Sequence, residues 1–224
     1  MYIILNMVYN VIIEEVDIVE LLLKFNFEKF TKMLIDEGFE EFNTIGSSQF
    51  KYIKDRCACI ITQESQIYGS IPLSTTVKFY NKFNMLNDYN NYPASLSYIM
   101  GELAVERHYE NDRLKNLNGP VIVKWNNGEK ECEHYKLYGE YTRFDGPAYI
   151  DYFLNNEEYY LFNKQLSKKT YWTIINGINN NKLNLSRYSK ANREIIKKTA
   201  EHLKNNYMIE LINSLDLVDK LIEG

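Results

Sequence analysis

The chain has 224 residues, 26 basic and 30 acidic side chains, a formal net charge of −4 and an apolar fraction of 45%. That length and composition suit an ordinary globular protein of one large domain, or one domain with flanking pieces. Three cysteines, Cys57, Cys59 and Cys132, form no even framework, which excludes a disulfide-stapled secreted domain and points to a reducing compartment. The apolar start, residues 1 to about 15, reads as a strand or buried segment. It lacks the early basic residues and the small-residue cleavage site of a signal peptide, and it is too short and polar to cross a membrane. A soluble, cytoplasmic protein is expected.

Phe27, Phe30, Leu34 and Ile35 share one helical face, with Asn26 placed to cap the helix and Gly38 to end it. Gly46-Ser47-Ser48 reads as a loop, and Tyr52 to Thr62 fits helix and strand equally. From about residue 66 the pattern turns to strands, with Val77-Lys78-Phe79-Tyr80 alternating. Pro72 opens a degenerate phrase 21 residues before Pro93 (93 − 72).

Pro93, Pro120 and Pro147 then fall at one spacing of 27 (120 − 93 and 147 − 120), and Gly119-Pro120-Val121 answers Gly146-Pro147-Ala148. A fixed period in this range predicts a repeat array. In the middle copy Val121, Val123 and Trp125 share a face and Lys124 points the other way. Asn127-Gly128 supplies the positive φ angles of a tight hairpin, and Lys130 to Leu137 is the return strand. One such unit buries about four or five apolar side chains at roughly 1.5–3 kcal/mol each. Ordering its backbone costs on the order of 1–2 kcal/mol per residue. A lone unit therefore loses, and copies must stack with their ends covered.

Ile175-Asn176-Gly177 through Asn181 reads as a turn-rich break. After it Ile196, Ala200, Leu203, Tyr207, Leu211, Leu215 and Val218 recur every three or four residues. They predict one long amphipathic helix or two short ones, with Ser186 or Ser189 as N-cap. The fold class expected is α+β: a central antiparallel β-hairpin repeat sheet of period 27 flanked by helical N- and C-terminal segments. The expected division is a mostly helical segment 1–65, a hairpin repeat region 66–173 and a helical region 174–224.

Gly139-Glu140-Tyr141-Thr142-Arg143-Phe144-Asp145-Gly146-Pro147-Ala148, followed by Tyr152 and a turn, resembles one unit of a known hairpin repeat. It is the Asp-Gly-Pro-Ala variety of the membrane occupation and recognition nexus type. The likeness covers roughly residues 90 to 172. Asn118-Gly119-Pro120-Val121 fits as a second copy, and the first keeps only Pro93-Ala94 and Gly101. Tandem copies of this variety are common in hypothetical proteins of large DNA viruses and some bacteria, so the resemblance raises a viral origin. It implies a twisted antiparallel sheet used for scaffolding, self-association or partner docking. The repeat carries no catalytic residues, and lipid contact has been proposed for the wider class.

Chemistry-bearing residues are sparse. Arg107-His108-Tyr109 and Glu133-His134-Tyr135 repeat one phrase at an offset of 26 (134 − 108), which favours a structural role for both histidines. His202 lies on the C-terminal helix and is given no role. Cys57, Cys59, Cys132 and His134 permit a zinc set, but C-x-C with C-x-H is not a standard spacing, so no metal and no cofactor is assigned. The pairs Glu157-Glu158 and Glu129-Glu131 read as solvated hairpin faces. No phosphate loop, nucleophile elbow or H-E-x-x-H occurs, and no catalytic residue or small-molecule substrate is inferred.

The leading expectation is a non-enzymatic protein-interaction or scaffold protein that binds a protein partner or itself through Trp125, Tyr149 and Tyr152. The alternative is a nucleic-acid-associated protein. Residues 164 to 206 carry ten basic side chains against Glu194 and Glu201, a local +8 that leaves −12 elsewhere (−4 − 8). Lys190, Arg193, Lys197 and Lys198 are its phosphate-binding candidates, and Tyr171, Trp172 and Tyr188 its stacking candidates.

Overall fold

The computed structural model describes residues 24–44, 48–64, 72–90, 92–116 and 118–223. The expectations for residues 1–15 and for Gly46-Ser47 lie outside them. The described residues form an antiparallel sheet of eleven strands and four helices, an α+β fold. The chain divides into two compact units: residues up to His134 with Asp151–Leu154, and Tyr135–Ile150 with Asn155 onward.

The first unit begins with helix α1 (Phe27–Asp36). Asn26 accepts a hydrogen bond from the Lys29 N–H at 3.0 Å, satisfying a donor that the first helical turn leaves open. At the other end the Gly38 N–H donates to Ile35 O and the Phe39 N–H to Leu34 O, both at 2.8 Å. Gly38 takes φ +85°, the left-handed position of a Schellman stop. Phe30 and Leu34 are buried and Phe27 half-buried, but Ile35 is 57% exposed, so the inward face is narrower than the sequence suggested.

Eight strands follow in sheet order: β1 (Glu40–Thr44), β2 (Gln49–Lys54), β3 (Cys57–Glu64), β4 (Ser74–Tyr80), β5 (Ser95–Ile99), β6 (Glu102–Arg107), β9 (Ile122–Asn126) and β10 (Glu129–His134). A small hairpin, β7 (Tyr109–Glu110) and β8 (Arg113–Leu114), interrupts the sequence. Within 1–65 the described helix is thus confined to Phe27–Asp36, and the ambiguous stretch Tyr52 to Thr62 is a hairpin. Asp55 and Arg56 turn it with φ +48° and +70°, the pair of positive angles a two-residue hairpin needs. Asn127-Gly128 does the same between β9 and β10, as expected.

Cross-strand register explains the core. Phe50, Ile61, Val77, Leu96 and Val123 lie in one row across the sheet, with Glu106 between Leu96 and Val123 and Glu133 beyond. Partners directly opposite share a face, so the apolar part of this row from β2 to β5 packs with α1 into one cluster that holds Phe30, Leu34, Ile61, Val77, Phe79, Leu96 and Tyr98. Strand β4 shows the cleanest alternation, with Thr75, Val77 and Phe79 buried and their neighbours half-exposed.

The second unit holds the hairpin β11 (Lys136–Leu137) and β12 (Glu140–Tyr141), then β14 (Asn156–Leu161) and β15 (Lys164–Leu166). Strand β13 (Tyr149–Asp151) runs across the division. Helices α2 (Lys168–Asn179), α3 (Lys190–His202) and α4 (Asn206–Glu223) complete it. Ile174, Ile175, Ile178, Leu183, Leu185, Ile196, Ala200, Met208 and Ile212 form its core with Tyr159, Leu161 and Tyr171. The supposed break at Ile175-Asn176-Gly177 is continuous helix. Gly177 is there because a Cβ would lie 2.7 Å from Leu183 Cδ1 and 3.0 Å from Leu183 Cβ, so the returning chain crosses against bare backbone.

Ser189, not Ser186, caps α3, accepting from the Asn192 N–H. The expected stripe does not continue into α4. Lys204, at φ +55°, ends α3 with Schellman bonds from Lys204 N–H to Glu201 O and Asn205 N–H to Ala200 O. Asn205 Oδ1 then accepts from the Met208 N–H at 3.0 Å and starts α4. The reset changes the phase: Met208 and Ile212 are buried, whereas Tyr207, Leu211 and Val218 are exposed.

Candidate functional site

The partner-binding candidates divide by unit. Trp125 and Tyr152 belong to the first, and Tyr149 to the second. Trp125 is half-buried against the first core, and the Lys130 ammonium stands 5.7 Å from the centroid of its ring. Lys130 also pairs with Glu133 at 2.7 Å, so the indole is already covered by an intramolecular cation. Tyr152 is 48% exposed, and its N–H donates to Glu131 O at 2.9 Å. The two residues after it, Phe153 and Leu154, are more exposed still, at 84% and 69%. Asp151 Oδ1 accepts from the Leu154 N–H at 2.8 Å and shapes this tip. Tyr149 is half-buried within β13. The apolar tip Tyr152-Phe153-Leu154 is therefore the more open surface. Phe153 and Leu154 escaped the sequence argument, although three apolar residues in a row before a turn were a signal.

The nucleic-acid candidates fare unequally. Lys190 and Lys198 are exposed and Lys197 half-buried. Arg193 is only 8% exposed: its guanidinium pairs with Asp219, lies 3.5 Å from Asp216 Oδ1 and donates to Tyr188 O at 3.4 Å. It ties α3 to α4 and is not on the open face. Tyr171 is fully buried, donating to Arg143 O at 2.6 Å and accepting from the Gly146 N–H at 3.3 Å. Burial pushes its phenol well up. Trp172 and Tyr188 are half-buried against the second core. Lys198 lies 5.8 Å from the Phe162 ring centroid.

The two histidines do different work despite their matching phrases. His108 sits just past the end of β6, whereas His134 is the last residue of β10. His108 Nδ1 lies 2.7 Å from Asp88 Oδ2, and Asp88 Oδ1 accepts from the Ala94 and Tyr109 N–H groups. Asp88 thereby fastens the 81–94 loop to the β6–β7 corner. His134 Nε2 lies 3.5 Å from Cys132 Sγ. Cys57 and Cys59 are on β3, five strand steps from β10, or about 24 Å at ~4.8 Å per step. That separates the two halves of the supposed zinc set. Among the described residues no group of three or more potential ligands is disposed to hold a metal. Cys59 is fully buried, and burial pushes its thiol far up.

The acidic pair on β14 is occupied locally. Glu157 accepts from Tyr159 Oη and pairs with Lys168, which holds its carboxyl below the usual range. Glu158 accepts from Tyr160 Oη at 2.6 Å and pushes that phenol up to about 12. On β10, Glu129 and Glu131 are exposed. No described helix is long and apolar enough to cross a membrane. Against known proteins, no family model, no curated protein and no solved structure matches this chain.

Proposed function

We propose that the chain is a non-enzymatic protein-interaction or scaffold protein. It is built on hairpin units of period 27 akin to the Asp-Gly-Pro-Ala variety of membrane occupation and recognition nexus repeats. Recurrent strand bounds carry the reading. Strand β9 begins 27 residues after β5 (122 − 95) and β13 begins 27 after β9 (149 − 122). The outgoing strands β6, β10 and β14 begin at 102, 129 and 156 and end at 107, 134 and 161, again 27 apart (129 − 102, 156 − 129). The small hairpins β7–β8 and β11–β12 keep the same offset (136 − 109).

Loop hydrogen bonds support the same period. His108 N–H donates to Val121 O and Tyr135 N–H to Ala148 O; Lys115 N–H donates to His108 O and Thr142 N–H to Tyr135 O. Asn116 Nδ2 donates to Pro120 O, and Arg143 Nη1 to Pro147 O. A backbone that recurs in this way carries its hairpin tips at fixed intervals. Ile99-Met100 at the first tip and Phe153-Leu154 at the third (153 − 99 = 54) are exposed apolar pairs. Such tips favour protein docking or self-association.

Sedimentation velocity over a concentration series, with wild type and Phe153→Ser/Leu154→Ser, tests self-association. Cross-linking in the native source with the same pair tests a heterologous partner. Loss of association in the variant supports the proposal. Binding to DNA or RNA at low salt that is abolished by Lys197→Glu/Lys198→Glu supports the nucleic-acid alternative instead. With Arg193 and Tyr171 interior, that alternative keeps fewer contact residues than the sequence offered.

A further inference from the structure

The least explained group in the first unit is Glu106. In register it lies between Leu96 on β5 and Val123 on β9, both almost wholly buried, in a row whose one other charged member is Glu133 on β10. Its neighbours are the Tyr98 phenol oxygen, buried without a hydrogen-bond partner, and the buried Trp125 indole N–H, which faces the carboxyl. Buried polar groups in folded proteins are nearly always paired, so an unpartnered phenol beside a half-buried carboxyl flanked by Leu96 and Val123 is an arrangement that packing alone does not explain.

We propose that Glu106 is a proton-operated latch beneath Trp125, closed when its carboxyl is protonated and loosened when it ionises. A neutral carboxyl is the form an apolar row tolerates, because burial without a full set of partners penalises the charge. The charged and titratable surroundings are these. From its own strand's end comes His108, itself on Asp88. From β5 comes the Tyr98 phenol. From β10 come Lys130 and Glu133, joined at 2.7 Å. Burial is the largest influence and raises the carboxyl above the ordinary glutamate value of 4.5. Glu133 raises it further, while His108, the Trp125 N–H and Lys130 oppose.

An acid whose folded value is raised binds its proton more tightly in the folded state. Its contribution is complete below the unfolded value and is lost as pH rises toward the folded one. Ionisation puts a second anion on the face that holds Glu133, with Lys130 as the shared cation. The effect is strongest on the β6–β9–β10 region that carries Trp125. This proposal does not depend on the docking reading.

The test uses the full chain carrying Trp172→Phe, which leaves Trp125 as the one tryptophan. Its emission and its urea midpoint are followed from pH 4 to pH 8, beside the same protein with Glu106→Gln, a permanent mimic of the neutral acid. The expected result is a Trp125 transition with its midpoint above 4.5 that Glu106→Gln abolishes. The urea midpoint should fall with rising pH relative to Glu106→Gln. Glu133→Gln should move the Trp125 transition to lower pH. Parallel urea curves for the two proteins, or a Trp125 transition that survives Glu106→Gln, would overturn the latch.

Discussion

Replacing Gly177 with alanine sets two known effects against each other. In a helix interior alanine is favoured over glycine by about 1 kcal/mol. Here the new Cβ would lie 2.7 Å from Leu183 Cδ1, 3.0 Å from its Cβ and 3.3 Å from its Cγ. A rotamer change can move Cδ1, but Cβ moves only with the backbone. That backbone is held by the Lys182 N–H donating to Gly177 O at 2.9 Å. Leu183 is also packed into the second core. Overpacking of this kind costs about 1–3 kcal/mol, so after the alanine gain is subtracted the net loss should be ~0–2 kcal/mol. At about 2–4 °C per kcal/mol for a chain of this size, thermal melts followed by circular dichroism should resolve it. Urea titration gives the same quantity independently. In a Leu183→Ala background two of the three close atoms are gone, and the cost of Gly177→Ala should shrink by roughly 1 kcal/mol, a coupling read from the double-mutant cycle. If Gly177→Ala is more stable than wild type by the full alanine gain of about 1 kcal/mol, the close crossing does not exist.

Asn205 caps α4 and also donates through Nδ2 to Ile178 O at 2.6 Å and to Asn181 Oδ1 at 2.9 Å. Asn205→Ala should therefore cost about 1–3 kcal/mol in urea unfolding, more than a cap alone. Asp145 is held below its ordinary value of 3.8 by its hydrogen bond to Arg143. Its small stabilising share is present above that pH and fades as pH falls through the lowered value; carbon-detected NMR titration should show this, and Arg143→Gln should restore the ordinary value. Cys57 is half-buried and Cys59 fully buried with its thiol pushed up. Iodoacetamide labelling read by mass spectrometry should therefore modify Cys57 in the native state and spare Cys59 until the chain unfolds.

Local signals were legible and long-range ones were not. Asn127-Gly128, the alternation of Val77 to Tyr80 and the cap at Asn26 are fixed by chain neighbours, and each appears where the residues placed it. The Asp55-Arg56 turn was hidden because neither residue is glycine, and only pairing with β2 and β3 selects it. Gly177 and the asparagines around it argued for a break by propensity, yet packing against Leu183 overrides propensity there. The apolar stripe of the last helices was misphased because one left-handed residue, Lys204, resets the rotation between Ala200 and Met208. Arg193 looked available because its partners Asp216 and Asp219 lie 23 and 26 residues on (216 − 193, 219 − 193). Glu106 carried no sequence signal at all, since its position between Leu96 and Val123 exists only after three strands pair.

An experimental structure at side-chain detail tests the proposed period most directly. Residues 95–114 and 122–141 should superpose strand on strand, with Met100-Gly101 over Asn127-Gly128 and Asn111-Asp112 over Tyr138-Gly139. A different register between these segments, or helix in either of them, would contradict the account.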